Sequence, residues 1–214
     1  MIAMMIRQQI ATVLGLEHSR SVFDQRLREI ASTQSQTLSQ AEIDEFANVA
    51  ETYVRDTVDL LEACDIASKQ AGVAHIVGPM LNQAAQYFLA PEDFIPDSAG
   101  LYGLLDDAYL SRSFVAHISD QYRQHTGVPL LPVDLHRDNL VIRAIIGEPV
   151  ASQLDHAVVN SMQQAIIQQN MAGLYAQGTP LNLGGGSRTG GPGSWGGSVE
   201  DEIARLSAEC GISI

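Results

Sequence analysis

Five carboxylates fall within residues 87–107, a stretch that is otherwise aromatic and aliphatic and also carries Pro91, Pro96, Gly100 and Gly103. Four of them, Asp93, Asp97, Asp106 and Asp107, have the type and spacing for one of two tasks. Carboxylate oxygens gathered at a corner bind hard cations, so the four are candidate ligands for Mg²⁺ or Ca²⁺. A metal held there would suit a metal-dependent enzyme, for instance a phosphoester hydrolase. Carboxylates at helix starts and tight turns also accept backbone N–H groups, and then they lock a fold rather than run a reaction. The second use is the commoner one and is preferred here. Asp106 and Asp107 stand about 100° apart on a helix, so at most one of them faces the corner. His117 lies about 16 Å further along the same helix, too far to share an ion with Asp106. The D-x-D-x-D-G loop of an EF-hand is absent.

Prolines and glycines set how these acids are positioned. Pro91 drives Ala90 out of the helical region and Pro96 does the same to Ile95, so a helix ends near Leu89 and an extended, proline-bounded link follows. Asp97 is placed to cap the next helix, and Asp93 to cap a local turn. Gly100 and Gly103 leave one face of that helix bare, which predicts close approach by a neighbouring helix.

Pro91, Asp93, Ile95, Pro96 and Asp97, followed by Gly103, Asp106 and Asp107, resemble the signature of the YkvA-like family, a bacterial domain of unknown function. That signature runs approximately P-x-D-x-I-P-D, a short gap, then G-x-x-D-D. Here Ser98-Ala99-Gly100-Leu101-Tyr102 replaces the usual apolar stretch between the halves. The resemblance covers about residues 75–120. It implies a helical corner and carries no reaction.

Other chemistry has less support. His136-Arg137-Asp138-Asn139 resembles a kinase catalytic loop, but no glycine-rich loop, strand lysine or D-F-G accompanies it. The glycines at 184–190 lack the G-K-[ST] and the preceding strand of a phosphate loop. There is no G-x-S-x-G and no H-E-x-x-H. His75, His117 and His156 read as helix-surface or core-edge residues. Cys64 and Cys210 lie far apart and form no C-x-x-C, which fits a reduced compartment.

The remaining chain reads as helices. Ile2, Met5, Ile6, Val13 and Leu14 predict a helix over 2–17, and Val22, Phe23, Leu27 and Ile30 a weaker one within 19–40 that gives way to a polar loop. Ser39-Gln40-Ala41-Glu42 is a capping box. Behind it Ile43, Phe46, Ala50, Tyr53, Val54, Thr57, Val58, Leu61 and Cys64 predict a long helix to about Gln70, ended by Gly72. Further helices are expected at 73–89, with Pro79 kinking it or marking its start, and at 98–125, stopped by Gly127-Val128-Pro129. A short one at 134–147 has Asp134 as N-cap, and a last long one covers 149–176. No window alternates, so the expected fold class is all-α, a compact bundle of about seven helices over residues 1–180.

Residues 184–197 are different: eight of the fourteen are glycine. Such a stretch is expected to act as a flexible linker. Beyond it Val199, Ile203, Leu206 and Cys210 share one stripe of a short amphipathic helix over 198–212. Too short to stand alone, that helix needs a groove on its own body, on a second copy or on a protein partner.

The formal charge is −13, and Lys69 is the single lysine. That balance disfavours nucleic acid and anionic lipid as partners. No run approaches the length of a membrane span, and the apolar N-terminus is too short for a signal segment. Together these features predict a cytoplasmic, non-enzymatic scaffold or adaptor with no cofactor, which docks a partner or itself through the tethered helix. The metal-dependent enzyme built on Asp93, Asp97, Asp106 and Asp107 is the alternative.

Overall fold

Local signals set the helix boundaries, and the long-range packing is organised around one buried helix. The computed structural model describes residues 2–90 and 94–176, with side chains as far as 165. Asp93, the expected linker at 184–197 and the expected helix carrying Val199, Ile203, Leu206 and Cys210 lie outside the described residues. The chain runs through α1 (Ile2–Leu14), α2 (Ser21–Thr33), α3 (Gln40–Gln70) and α4 (Ala74–Phe88), then a 3₁₀ turn at Asp97–Ala99. It continues through α5 (Leu101–Thr126), α6 (His136–Ile146) and α7 (Val150–Ala176). No strand occurs among the described residues, so the fold is all-α.

The longest helix has the clearest ends. The Ser39 hydroxyl accepts the Glu42 N–H, and the Glu42 carboxylate accepts the Ser39 N–H at 2.8 Å, closing the capping box. At the other end Gly72 takes a φ of +73°. Its N–H donates to Lys69 O while the Val73 N–H donates to Ser68 O, a Schellman closure that satisfies the last carbonyls. Between these ends Ile43, Ala47, Ala50, Val54, Val58, Leu61 and Cys64 form the buried stripe. Phe46 was expected on that stripe but is 40% exposed; it lies about 60° from Ile43, on the side away from Ala47.

Elsewhere the stripes shift by small angles. In α1 the buried residues are Ile6, Ile10 and Val13, whereas the expected Ile2 and Met5 are exposed. In α2 Ala31 joins Phe23 and Leu27 inside, while Val22 is exposed and Ile30 half-buried. Pro79 does not start α4 but sits inside it, five residues from its first. Gly127 at φ +82° ends α5, as its position predicts.

The centre of the bundle is α5. From Leu101 to Ser119 every residue except Tyr102 and His117 is buried. All six other helices among the described residues pack against it. A helix enclosed on all sides needs no polar face, yet α5 carries Asp106, Asp107, Ser111, Arg112, Ser113 and Ser119 inside the protein. Those buried polar groups are where the candidate sites lie.

Candidate functional site

The corner between α4 and α5 brings together part of the acidic cluster. α4 stops at Phe88, and the Leu89 and Ala90 N–H groups turn back onto Gln86 O and Tyr87 O. Phe94 is 44% exposed, while Ile95 turns inward and is 7% exposed. Its N–H donates to Asp106 Oδ2 at 3.0 Å. Asp106 is fully buried, one and a half turns into α5, and so reaches back to fasten the extended link to the central helix. Asp107, its neighbour, is also fully buried.

Asp97 serves differently from the expectation. It does not cap α5, whose N-cap is Gly100 with no side-chain cap. The 3₁₀ turn inserts three residues between Pro96 and Gly100, which carries Asp97 past the capping position. Its Oδ2 instead accepts the Gln9 amide of α1 at 2.9 Å. Its Oδ1 is buried without a hydrogen-bond partner among the described residues. Asp97, Asp106 and Asp107 do not converge into a three-carboxylate group among the described residues.

The two glycines do allow close approach, but the approaching groups are not a helix. Gly100 adopts φ +67°, and a Cβ there would collide with the Ser19 carbonyl, which accepts the Leu101 N–H at 2.7 Å. A Cβ on Gly103 would stand 2.5 Å from Pro96 O. The bare face of α5 is therefore filled by the α1–α2 loop and by the corner's own backbone.

A second constellation was missed by the sequence reading. Arg112, only 7% exposed, projects from α5 toward α3 and α6. Its Cζ lies 4.1 Å from the centroid of the Tyr53 ring, a cation–π contact in a desolvated place. Its Nε–H donates to the Thr57 hydroxyl at 3.1 Å, and that hydroxyl donates in turn to Tyr53 O. The Tyr53 phenol donates to Asn139 Oδ1 at 2.8 Å. The closest carboxylate is Asp138, 3.6 Å from Nη1. Neither terminal nitrogen of Arg112 makes a hydrogen bond among the described residues. Burial pushes the Tyr53 phenol well above its ordinary value, against the lowering effect of the Arg112 cation. So Tyr53 remains a neutral donor. The signal that could have pointed here is an arginine in the stretch Tyr109–Ile118, where six of the ten residues are apolar or aromatic.

Arg112 and Tyr53 form the floor of a groove between α3 and α6, with a volume of about 390 Å³. Val49, Val141 and Ile142 wall it, and Glu45, Asp56 and Asp138 stand on its rim. Asp138 and Asn139, from the motif that resembles a kinase loop, are thus structural neighbours of a buried arginine.

A third cluster joins α5, α6 and α7. Tyr109 OH donates to Asp155 Oδ1 at 2.6 Å, and Arg143 bonds Asp155 at 3.1 Å and Glu148 at 2.6 Å. Burial, then the Asp155 hydrogen bond, raises the Tyr109 phenol. Asp134 is not the N-cap of α6, since Leu135 holds that position; Asp134 nevertheless accepts the His136 N–H at 3.1 Å from one residue further out. His117 faces out, with Nδ1 2.9 Å from Ser113 O of its own helix.

Residues 84–110 match the family model described as "Protein of unknown function (DUF1232)". The match spans the end of α4, the corner and the first turns of α5, the same segment whose motif resembles the YkvA-like signature. No curated protein and no solved structure matches the chain.

Proposed function

We propose that the protein is a non-enzymatic helical scaffold or adaptor of the cytoplasm, which docks a protein partner or a second copy of itself through its C-terminal segment. One observation carries the scaffold half: Asp106, a fully buried acid of the corner, accepts the Ile95 N–H and so fastens the corner to the central helix. The α5 helix onto which it fastens the corner contacts every other helix among the described residues, which suits a rigid body that presents surfaces. No helix among the described residues is long and apolar enough to cross a membrane. The adaptor half rests on the sequence stripe Val199, Ile203, Leu206 and Cys210 behind a glycine-rich linker.

The test removes residues 184–214 and, separately, replaces Ile203 and Leu206 by Asp. Circular dichroism should show the helical body unchanged in both. Sedimentation of the chain, alone and with each protein it co-purifies with, should show one association lost in both variants, because a charge is costly to bury in an apolar groove. Association that persists in both variants would refute the adaptor reading.

The Asp97 Oδ1, buried without a partner among the described residues, favours a second reading, a metal-dependent phosphoester hydrolase built on Asp93, Asp97, Asp106 and Asp107. Binding of Mg²⁺, Ca²⁺ or Mn²⁺ to the folded state would raise the melting temperature by mass action. A saturable rise abolished by Asp93→Asn would establish that site in place of the scaffold.

A further inference from the structure

We propose that the groove between α3 and α6 is a docking site for the C-terminal turn of a basic amphipathic helix carried by a partner protein. Three features of the groove specify that occupant. Its floor holds a guanidinium that is more than nine-tenths buried; Nη1 faces the Asp138 carboxylate at 3.6 Å, and neither terminal nitrogen makes a hydrogen bond among the described residues. Such a group has room for a further oxygen acceptor. The last turn of a helix offers up to four carbonyls with no partner of their own, at the negative end of its dipole.

Its rim holds three carboxylates. Glu45, Asp56 and Asp138 outnumber Arg112, so the groove attracts a net cation even though its floor wants an acceptor. Lysines and arginines in the last turn of a helix meet both demands at once. Its walls are apolar and open to solvent: Val49 is 56% and Val141 36% exposed, and Phe46, one turn along α3, is 40% exposed. Glu45, Val49, Thr52 and Asp56 run along α3 for about 16 Å, the length of roughly three helical turns.

The chain's own C-terminal segment does not fit. Residues 198–212 carry Glu200, Asp201, Glu202 and Glu209 against Arg205 alone, so the rim repels them. The groove is therefore a second docking surface, separate from the one assigned to the tail, and it stands or falls independently of it.

The full-length protein is titrated against a fluorescein-labelled 14-residue helical peptide of leucine and lysine, acetylated and amidated, with anisotropy as readout. Saturable binding is expected, weakening with salt. Asp138→Asn and Glu45→Gln should each weaken it by about two- to fivefold, as rim charges do. Glu17→Gln, an exposed acid outside the groove, should leave it unchanged. The decisive variant is Val49→Asp, at a position exposed enough to leave the fold intact. It adds negative charge but removes the apolar wall, and should cost about tenfold. Binding that is unchanged or tighter in Val49→Asp would mean attraction to an acidic surface and would overturn the proposal. So would no saturable binding at all, or a peptide of residues 198–212 that binds the groove more tightly than the basic one.

Discussion

Removing the Asp106 carboxylate should destabilise the fold more than removing Asp97, and the difference follows from where each acid sits. Asp106 is fully buried and accepts the N–H of Ile95, itself 7% exposed. In Asp106→Ala that N–H loses this acceptor in a place water scarcely reaches. A buried amide left without an acceptor costs about 1–3 kcal/mol. The small void left by the side chain adds a fraction of that. The expected loss is therefore about 2–3 kcal/mol. Asp106→Asn keeps an oxygen near Ile95 and should cost about 1 kcal/mol less. Asp97 is only half-buried and holds the side-chain amide of Gln9, so Asp97→Ala should cost about 1 kcal/mol.

Urea unfolding followed by far-ultraviolet circular dichroism reads these differences directly. The midpoint should fall in the order wild type, Asp97→Ala, Asp106→Ala, with the slope unchanged, because the exposed surface does not change. In a body of this size each kcal/mol moves the melting temperature by about 2–4 °C, so Asp106→Ala should melt roughly 4–12 °C lower. Wild-type stability in Asp106→Ala, or a larger loss in Asp97→Ala, would refute the account of the corner as a carboxylate lock.

Three further outcomes are expected. Gly100→Ala should destabilise more than Gly72→Ala in thermal melts: both have positive φ, but only the Gly100 Cβ would collide with a backbone carbonyl, and Gly72 should cost about 1 kcal/mol from strain alone. Ser39→Ala should lower stability by about 1 kcal/mol and leave the slope of urea unfolding unchanged, since it removes half of a capping box. Stability should hold below pH 9 and decline above it: burial pushes the Cys64 thiol from 9.0 up to about 12, and also raises Tyr53 and Tyr109. The unfolded chain then loses these protons first, so the stabilisation is complete below the unfolded values and is lost as pH climbs through the folded ones. Urea midpoints from pH 7 to 11 check the sign.

What could be read from the sequence follows a physical division. Ends of helices were legible where short-range chemistry fixes them: Ser39 with Glu42, Gly72, and Gly127 each act within one turn, so neighbours in sequence carry the whole signal. Buried stripes were legible only to within one helical position. Over the length of α3 an aromatic at 60° from the stripe looks as good as an alanine on it, and only packing against neighbouring helices decides that Ala47 goes inside and Phe46 stays out. The central helix hid its role for a related reason. A helix buried on every side has no polar face to contrast with, and the acids, serines and arginine of α5 make it look like a surface helix. Asp106 was singled out because the proline-bounded turn precedes it in sequence. Arg112 was not, because its partners Tyr53, Thr57 and Asn139 come from two distant helices. Yet a charge enclosed by the core demands partners of its own, and those available leave both of its terminal nitrogens without a hydrogen bond among the described residues. The same enclosure that concealed Arg112 in the sequence is what turns the shallow space above it into a groove with a chemical preference.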